Sequence, residues 1–123
     1  MKRNPDLIRH LLLALEDAPD AELLRLPSLE GYASHQVKHH FRLLLEAGLV
    51  TAGYTSPHGR RWIAVRLTWG GHEYLERMRD PAIWRQTKKA MGKAGAWSLE
   101  TMGTVAKAII MTRLETLGLE LGS

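Results

Sequence analysis

The chain has 123 residues, 45% of them hydrophobic, a formal charge of +4 and no cysteine. That length and apolar content suit one domain with a proper core, and the lack of cysteine excludes disulfides and thiolate metal sites, as fits a cytoplasmic protein. The apolar run Leu11 to Leu15 is too short, and too closely flanked by Asp6 and Glu16, for a signal peptide or a membrane span, so no membrane association is expected.

Asn4-Pro5-Asp6 predicts a helix start, with Asn4 as N-cap, Pro5 at the first helical position and Asp6 complementing the positive end of the dipole. Leu7, Ile8, Leu11, Leu12 and Leu15 recur at helical spacing and define a core face. His10 lies among these leucines and reads as a packed histidine with a backbone partner. The helix ends at Ala18-Pro19-Asp20, because a residue before proline is pushed out of the α region. Leu23 to Leu26 reads as a short strand, and Pro27-Ser28-Leu29-Glu30-Gly31 leaves room for one turn before Tyr32.

Residues 34–47 predict the central helix, capped by Ser34 and stopped by Gly48. Val37, Phe41, Leu44 and Leu45 fall on one side, and His35, Lys38, His39, Arg42 and Glu46 on the other. Leu49 to Thr55 and Arg61 to Leu67 are β-prone runs joined by the turn formers Ser56-Pro57-His58-Gly59-Arg60, which predicts a β-hairpin. In its second run Ile63, Val65 and Leu67 alternate with Trp62, Ala64 and Arg66, so the first three are expected on one face.

Thr68 is expected to cap a helix over residues 69–79, in which Gly71 permits close packing and Tyr74, Leu75 and Met78 face inward. Asp80-Pro81 restarts the chain with Ile83 and Trp84 as anchors, followed by the basic cluster Arg85, Lys88, Lys89 and Lys93. Gly92, Gly95 and Ala96 break it before Trp97. Ser98 then caps a final helix reaching about Leu117. Its apolar positions are too many for a narrow stripe, so it is either buried on two sides or pairs with a copy of itself. Met102, Ile109, Ile110, Leu114 and Leu117 are the residues expected at such a homodimer interface.

The charge is concentrated. Residues 31–66 hold Lys38, Arg42, Arg60, Arg61 and Arg66 against Glu46 alone, which accounts for the whole net charge. Such a local excess attracts a polyanion by displacing its counterions, and DNA is the commonest one. His35 and His39 stand one helical turn apart, but a zinc site needs a third or fourth ligand and the metallopeptidase glutamate is missing between them. No serine or threonine is placed as a nucleophile beside a base, and Gly70-Gly71 lacks the spacing of a phosphate loop. The expectation is a protein that is not an enzyme and needs no metal or other cofactor.

The helix over 34–47, followed by Leu49, Val50 and the hairpin, resembles the third helix and wing of winged helix-turn-helix proteins. In that superfamily the third helix lies in the DNA major groove and the hairpin touches the adjacent backbone. The resemblance implies that His35, Lys38, His39 and Arg42 approach a groove of double-stranded DNA, while Ser34, Arg60 and Arg61 hold phosphates. The chain departs from the pattern in residues 20–33, which leave one turn where a second helix is usual. The run Leu-Thr-Trp-Gly-Gly-His-Glu-Tyr-Leu resembles the Leu-Thr-x-x-Gly-x-x-Tyr-Leu that often follows a wing.

The opening Met-Lys-Arg-x-x-Asp-Leu-Ile-Arg, the block from His40 to Val50, residues 66–75, Arg79-Asp80 with Trp84, and Val105 to Ile110 together resemble a small bacterial and prophage family of unknown function. That resemblance implies a winged-helix fold and a mobile-element context, and it brings no catalytic or ligand-binding residues. The expected fold is mainly α with a small β-hairpin (α+β): a winged-helix-like core over residues 1–80, and a helical extension over 81–123 that packs on the core or forms a dimer interface. The expected function is transcription regulation by DNA binding. The alternative is a module of the same fold that docks a protein partner.

Overall fold

The structure is a computed structural model that describes residues 2–18, 22–54, 62–95 and 97–118. Its elements are α1 (Pro5–Glu16), β1 (Leu23–Arg25), α2 (Ser34–Glu46), β2 (Val50–Tyr54), β3 (Trp62–Leu67), α3 (Trp69–Met78), α4 (Pro81–Ala94) and α5 (Leu99–Thr116). The class is the expected one, mainly helical with a small antiparallel sheet. The strand order is β1-β3-β2, so the hairpin gains β1 along its second strand. The chain divides into two compact units, residues 1–75 and 76–123, with the division inside α3.

In the first unit α1 packs on α2 and β3, and its Leu7, Ile8, Leu11, Leu12 and Leu15 are all buried. Val37, Phe41 and Leu44 of α2, Val50 of β2, and Val65 and Leu67 of β3 are buried too. Each large aliphatic side chain removed from water contributes about 1.5–3 kcal/mol, and this is what holds so small a sheet against its helices. Asn4 caps α1 as expected, its Oδ1 accepting from the amides of Asp6 (3.0 Å) and Leu7 (3.2 Å).

Two local expectations change. Ser34 does not cap α2: Ala33 is the N-cap and Ser34 the first helical residue, while the Gln36 side chain reaches back to accept from the Ala33 amide (2.9 Å). His10 is not packed among leucines. It is exposed, with Nδ1 3.4 Å from the Tyr32 hydroxyl and its ring edge-on to that phenol. Between β1 and α2 the chain makes a single turn, in which the Tyr32 amide donates to the Leu29 carbonyl (3.2 Å) and Gly31 takes the left-handed φ of +87°.

The alternation expected for β3 is also altered. Thr51 pairs with Arg66 and Gly53 with Ile63, so one residue of β2, Ala52, faces two of β3, Ala64 and Val65, a β-bulge. Within it Ala64 has a φ of +53°, the one non-glycine positive φ among the described residues. Val65 and Leu67 are buried as expected, but the bulge reverses the phase beyond them: Trp62 is buried and Ile63 half-buried. An indole expected on the outer face is thereby turned onto α2.

Thr68 joins α2, β2 and α3. Its hydroxyl donates to the Gly48 carbonyl (2.6 Å) and accepts from the Gly71 amide (3.1 Å), while its own amide donates to the Leu49 carbonyl (3.0 Å). The first turn of α3 is pulled so close that a Cβ on Gly71 would overlap the Leu49 carbonyl oxygen.

In the second unit Asp80 caps α4 through the amides of Ala82 (2.8 Å) and Ile83 (3.0 Å), with Pro81 at the first helical position. Those two amides, Ile83 first, with Arg113 and Arg85 nearby, hold the Asp80 carboxyl below the usual range. The helix runs through Gly92, expected to break it, and ends at Gly95, whose φ is +77°. The α4 helix packs along α5. Ile83, Trp84, Thr87 and Met91 of the former are buried, as are Met102, Gly103 and Ala106 of the latter. The buried Thr87 hydroxyl is satisfied by the Ile83 carbonyl (2.8 Å).

Two substitutions test this packing by urea denaturation. Gly71→Ala should cost about 1–3 kcal/mol, because the new methyl meets backbone that cannot step aside, and unchanged stability would refute the close approach. Ala64→Gly should gain about 0.5–1 kcal/mol by relieving a left-handed alanine, and a loss there would show that the bulge is misplaced.

Candidate nucleic-acid interface

The buried side of α2 sets its exposed one. With Val37, His40, Phe41 and Leu44 turned inward, Ser34, His35, Lys38, Arg42 and Glu46 are exposed, and His39 and Gln36 are half-buried. These are the residues expected there. Arg42 is positioned by more than its helix, because its guanidinium carbon lies 5.7 Å from the centroid of the Trp62 ring, which packs on Phe41 at 4.9 Å. A guanidinium over an indole is an attractive arrangement that keeps the cation at the surface. The contact sets the outer face of α2 beside the first residue of β3. Arg60 and Arg61, expected to hold phosphates, lie outside the described residues.

The face carries two cations, two imidazoles, a hydroxyl and an amide. All can donate hydrogen bonds, which is what phosphate oxygens and the acceptor edges of bases require. Glu46 is the single carboxylate on that side. His35 and His39 acquire no third ligand: among the described residues no group of three or more histidine, aspartate or glutamate side chains could hold a metal ion.

The residue that sequence reasoning missed is His40. Its ring is 1% exposed, its Nε2 accepts from the Asn4 amide (2.8 Å), and its Nδ1 stands 2.8 Å from the Gln36 carbonyl. An acceptor at Nε2 and a carbonyl at Nδ1 together require the neutral ring with the proton on Nδ1. Burial pushes its pKa below the ordinary imidazole value; the Gln36 carbonyl opposes this, and neighbouring His39 adds to it. Through this ring the start of α1 is tied to the middle of α2. A wheel carries a partial signal, since position 40 falls about 40° beyond Leu44, on the border of the arc of Val37, Phe41 and Leu44.

Of the residues expected at a dimer interface, Met102 is buried within the chain at 1% exposure. Ile109, Ile110 and Leu114 are half-buried, and Leu117 is 73% exposed. Among the described residues no helix is long and apolar enough to cross a membrane.

The fold and this face define a small α+β protein with a basic helix seated beside a hairpin. The chain belongs to the family described as hypothetical protein DUF2513, which matches residues 2–97. It is similar to a Haemophilus influenzae protein described as uncharacterized, with 41% identity over 117 residues, covering 93% of this chain and 99% of that one. No solved structure matches it.

The His40 arrangement predicts a pH dependence of stability. Because the folded-state pKa is depressed, the unfolded chain takes up a proton below about pH 6.5 that the folded chain refuses, so stability present above that pH falls on acidification. Melting temperature measured from pH 7.5 to 5 should therefore drop more steeply in the wild type than in His40→Gln. Parallel curves would assign the dependence elsewhere.

Proposed function

We propose that the first unit is a winged-helix variant that binds double-stranded DNA without catalysing a reaction, and that the protein regulates transcription. In this reading α2 enters the major groove with His35, Lys38, His39 and Arg42, while Ser34 and the hairpin residues Arg60 and Arg61 contact phosphates. The observation that carries it is the Arg42–Trp62 contact, which places the exposed cationic face of α2 beside the hairpin strand that follows Arg61. The order helix, strand, helix, hairpin, with β1 along β3, supports the same reading. Two chains joined through the outer half of α5 would present a pair of such units to palindromic half-sites.

A second reading, a module of the same fold that docks a protein, is favoured by two observations. One turn stands between β1 and α2, where a second helix would brace a reading helix against the backbone. Trp69, at the start of α3, is 80% exposed, and tryptophan is enriched among interface anchors.

Titration of labelled duplex DNA over a salt series decides between them. DNA binding predicts an affinity that falls steeply with salt. Arg60→Ala with Arg61→Ala should lower the logarithmic salt slope by about two, near 0.9 per lost phosphate contact, whereas Lys38→Gln with Arg42→Gln, which removes groove contacts, should narrow the difference in affinity between one sequence and another. The absence of wild-type binding at low salt would leave the protein-docking reading.

A further inference from the structure

The α4 helix carries a cationic row that plays no part in the reading of α2. From Pro81 to Ala94 there are four cations, Arg85, Lys88, Lys89 and Lys93, and no carboxylate. On a helical wheel the four fall within an arc of roughly 140°, opposite Ile83, Trp84, Thr87 and Met91. Arg85, Lys89 and Lys93 are exposed, and the half-buried Lys88 holds its ammonium 5.5 Å from the centroid of the Trp84 ring. The other residues of that arc are Pro81, Ala82 and Gly92, so short that the cations stand above their surroundings.

Two features separate this face from an ordinary solvated one. A helix kept soluble by charge alone is best served by acids and bases alternating at i, i+4, whereas 85 with 88, 85 with 89, and 89 with 93 are like-charge neighbours that work against the helix. The nearest acid in sequence, Asp80, caps the helix and lies 3.9 Å from Arg113, with Arg85 of the row nearby. The repulsion is relieved when an external polyanion lies along the row. The face also lacks the aromatic or aliphatic anchor from which a protein interface draws most of its affinity. Arg85, Lys89 and Lys93 succeed one another about 6 Å apart along the axis. That is a ladder of positive charges along one side of the helix.

We propose that the outer face of α4 is a second DNA-binding surface, which grips the phosphate backbone of a duplex without regard to sequence through Arg85, Lys88, Lys89 and Lys93. Its role is affinity and retention on DNA. It stands whether or not α2 enters a groove.

The test uses the full chain and a fluorescent 20-base-pair duplex of arbitrary sequence, titrated by anisotropy between 20 and 200 mM salt. Four proteins are compared: the wild type, Arg85→Gln/Lys89→Gln/Lys93→Gln, Lys38→Gln/Arg42→Gln, and a control in which the exposed Lys2, Arg25 and Lys107 become glutamine. The three α4 changes should weaken binding about tenfold or more at low salt and lower the logarithmic salt slope by about two to three, while the control with equal charge loss keeps the wild-type slope. A wild-type slope in the α4 variant overturns the proposal, as do an equal loss in the control, absence of wild-type binding at 20 mM salt, and a duplex RNA that displaces the DNA at tenfold lower concentration. Loss in the α4 variant with none in the α2 variant upholds this surface and refutes the groove reading; the converse does the opposite. Circular dichroism of the α4 variant should match the wild type, because no substituted side chain faces the buried side. If its helix content falls, Arg85→Lys, which keeps the charge, together with each single glutamine variant, supplies the same comparison.

Discussion

What the first unit presents to its surroundings depends on which way Trp62 faces. In an uninterrupted strand the indole would lie on the opposite side from Val65 and away from α2. The left-handed Ala64 costs about 1–2 kcal/mol and reverses the phase, so that the ring covers Phe41 and underlies Arg42. One strained residue therefore completes the core and fixes a surface cation.

Much of this was written locally in the sequence. The caps at Asn4, Thr68 and Ser98 form as expected, because a short polar side chain ahead of an apolar period has one good use, to accept the orphan amides of a first turn. The close approach at Gly71 and the short strand at Leu23 were legible for similar reasons. The phase of β3 was not, since an alanine in a left-handed conformation has no signature of its own and only the pairing with β2 reveals it. The histidines were misjudged for a different reason. His10 sits beside leucines in the chain but on the outer side of α1, whereas His40 sits among polar neighbours and turns inward, so position on the wheel outweighed local company. At the site, His35, Lys38 and Arg42 could be placed from periodicity, but the aromatic support under Arg42 could not, because it comes from across the bulge.

The two basic helices differ in what they are equipped to do. The outer face of α2 mixes cations with imidazoles, an amide and a hydroxyl, groups whose hydrogen bonds have direction and can therefore discriminate. That of α4 offers charge and little else. Each face has a buried polar side chain beneath it that is satisfied within the chain: His40 has both nitrogens paired, and the Thr87 hydroxyl is bonded within its own helix.

The small sheet also restricts the kinds of company this protein can keep. Its edge strands are β1, three residues long, and β2, whose pairing with β3 is already interrupted by the bulge. Among the described residues an incoming extended peptide would find three residues of β1 or five of β2 to pair with, a short template that disfavours strand addition and runaway sheet growth. The side chains displayed on the helices offer the larger surface, where selectivity is set by charge and shape and not by main-chain pairing.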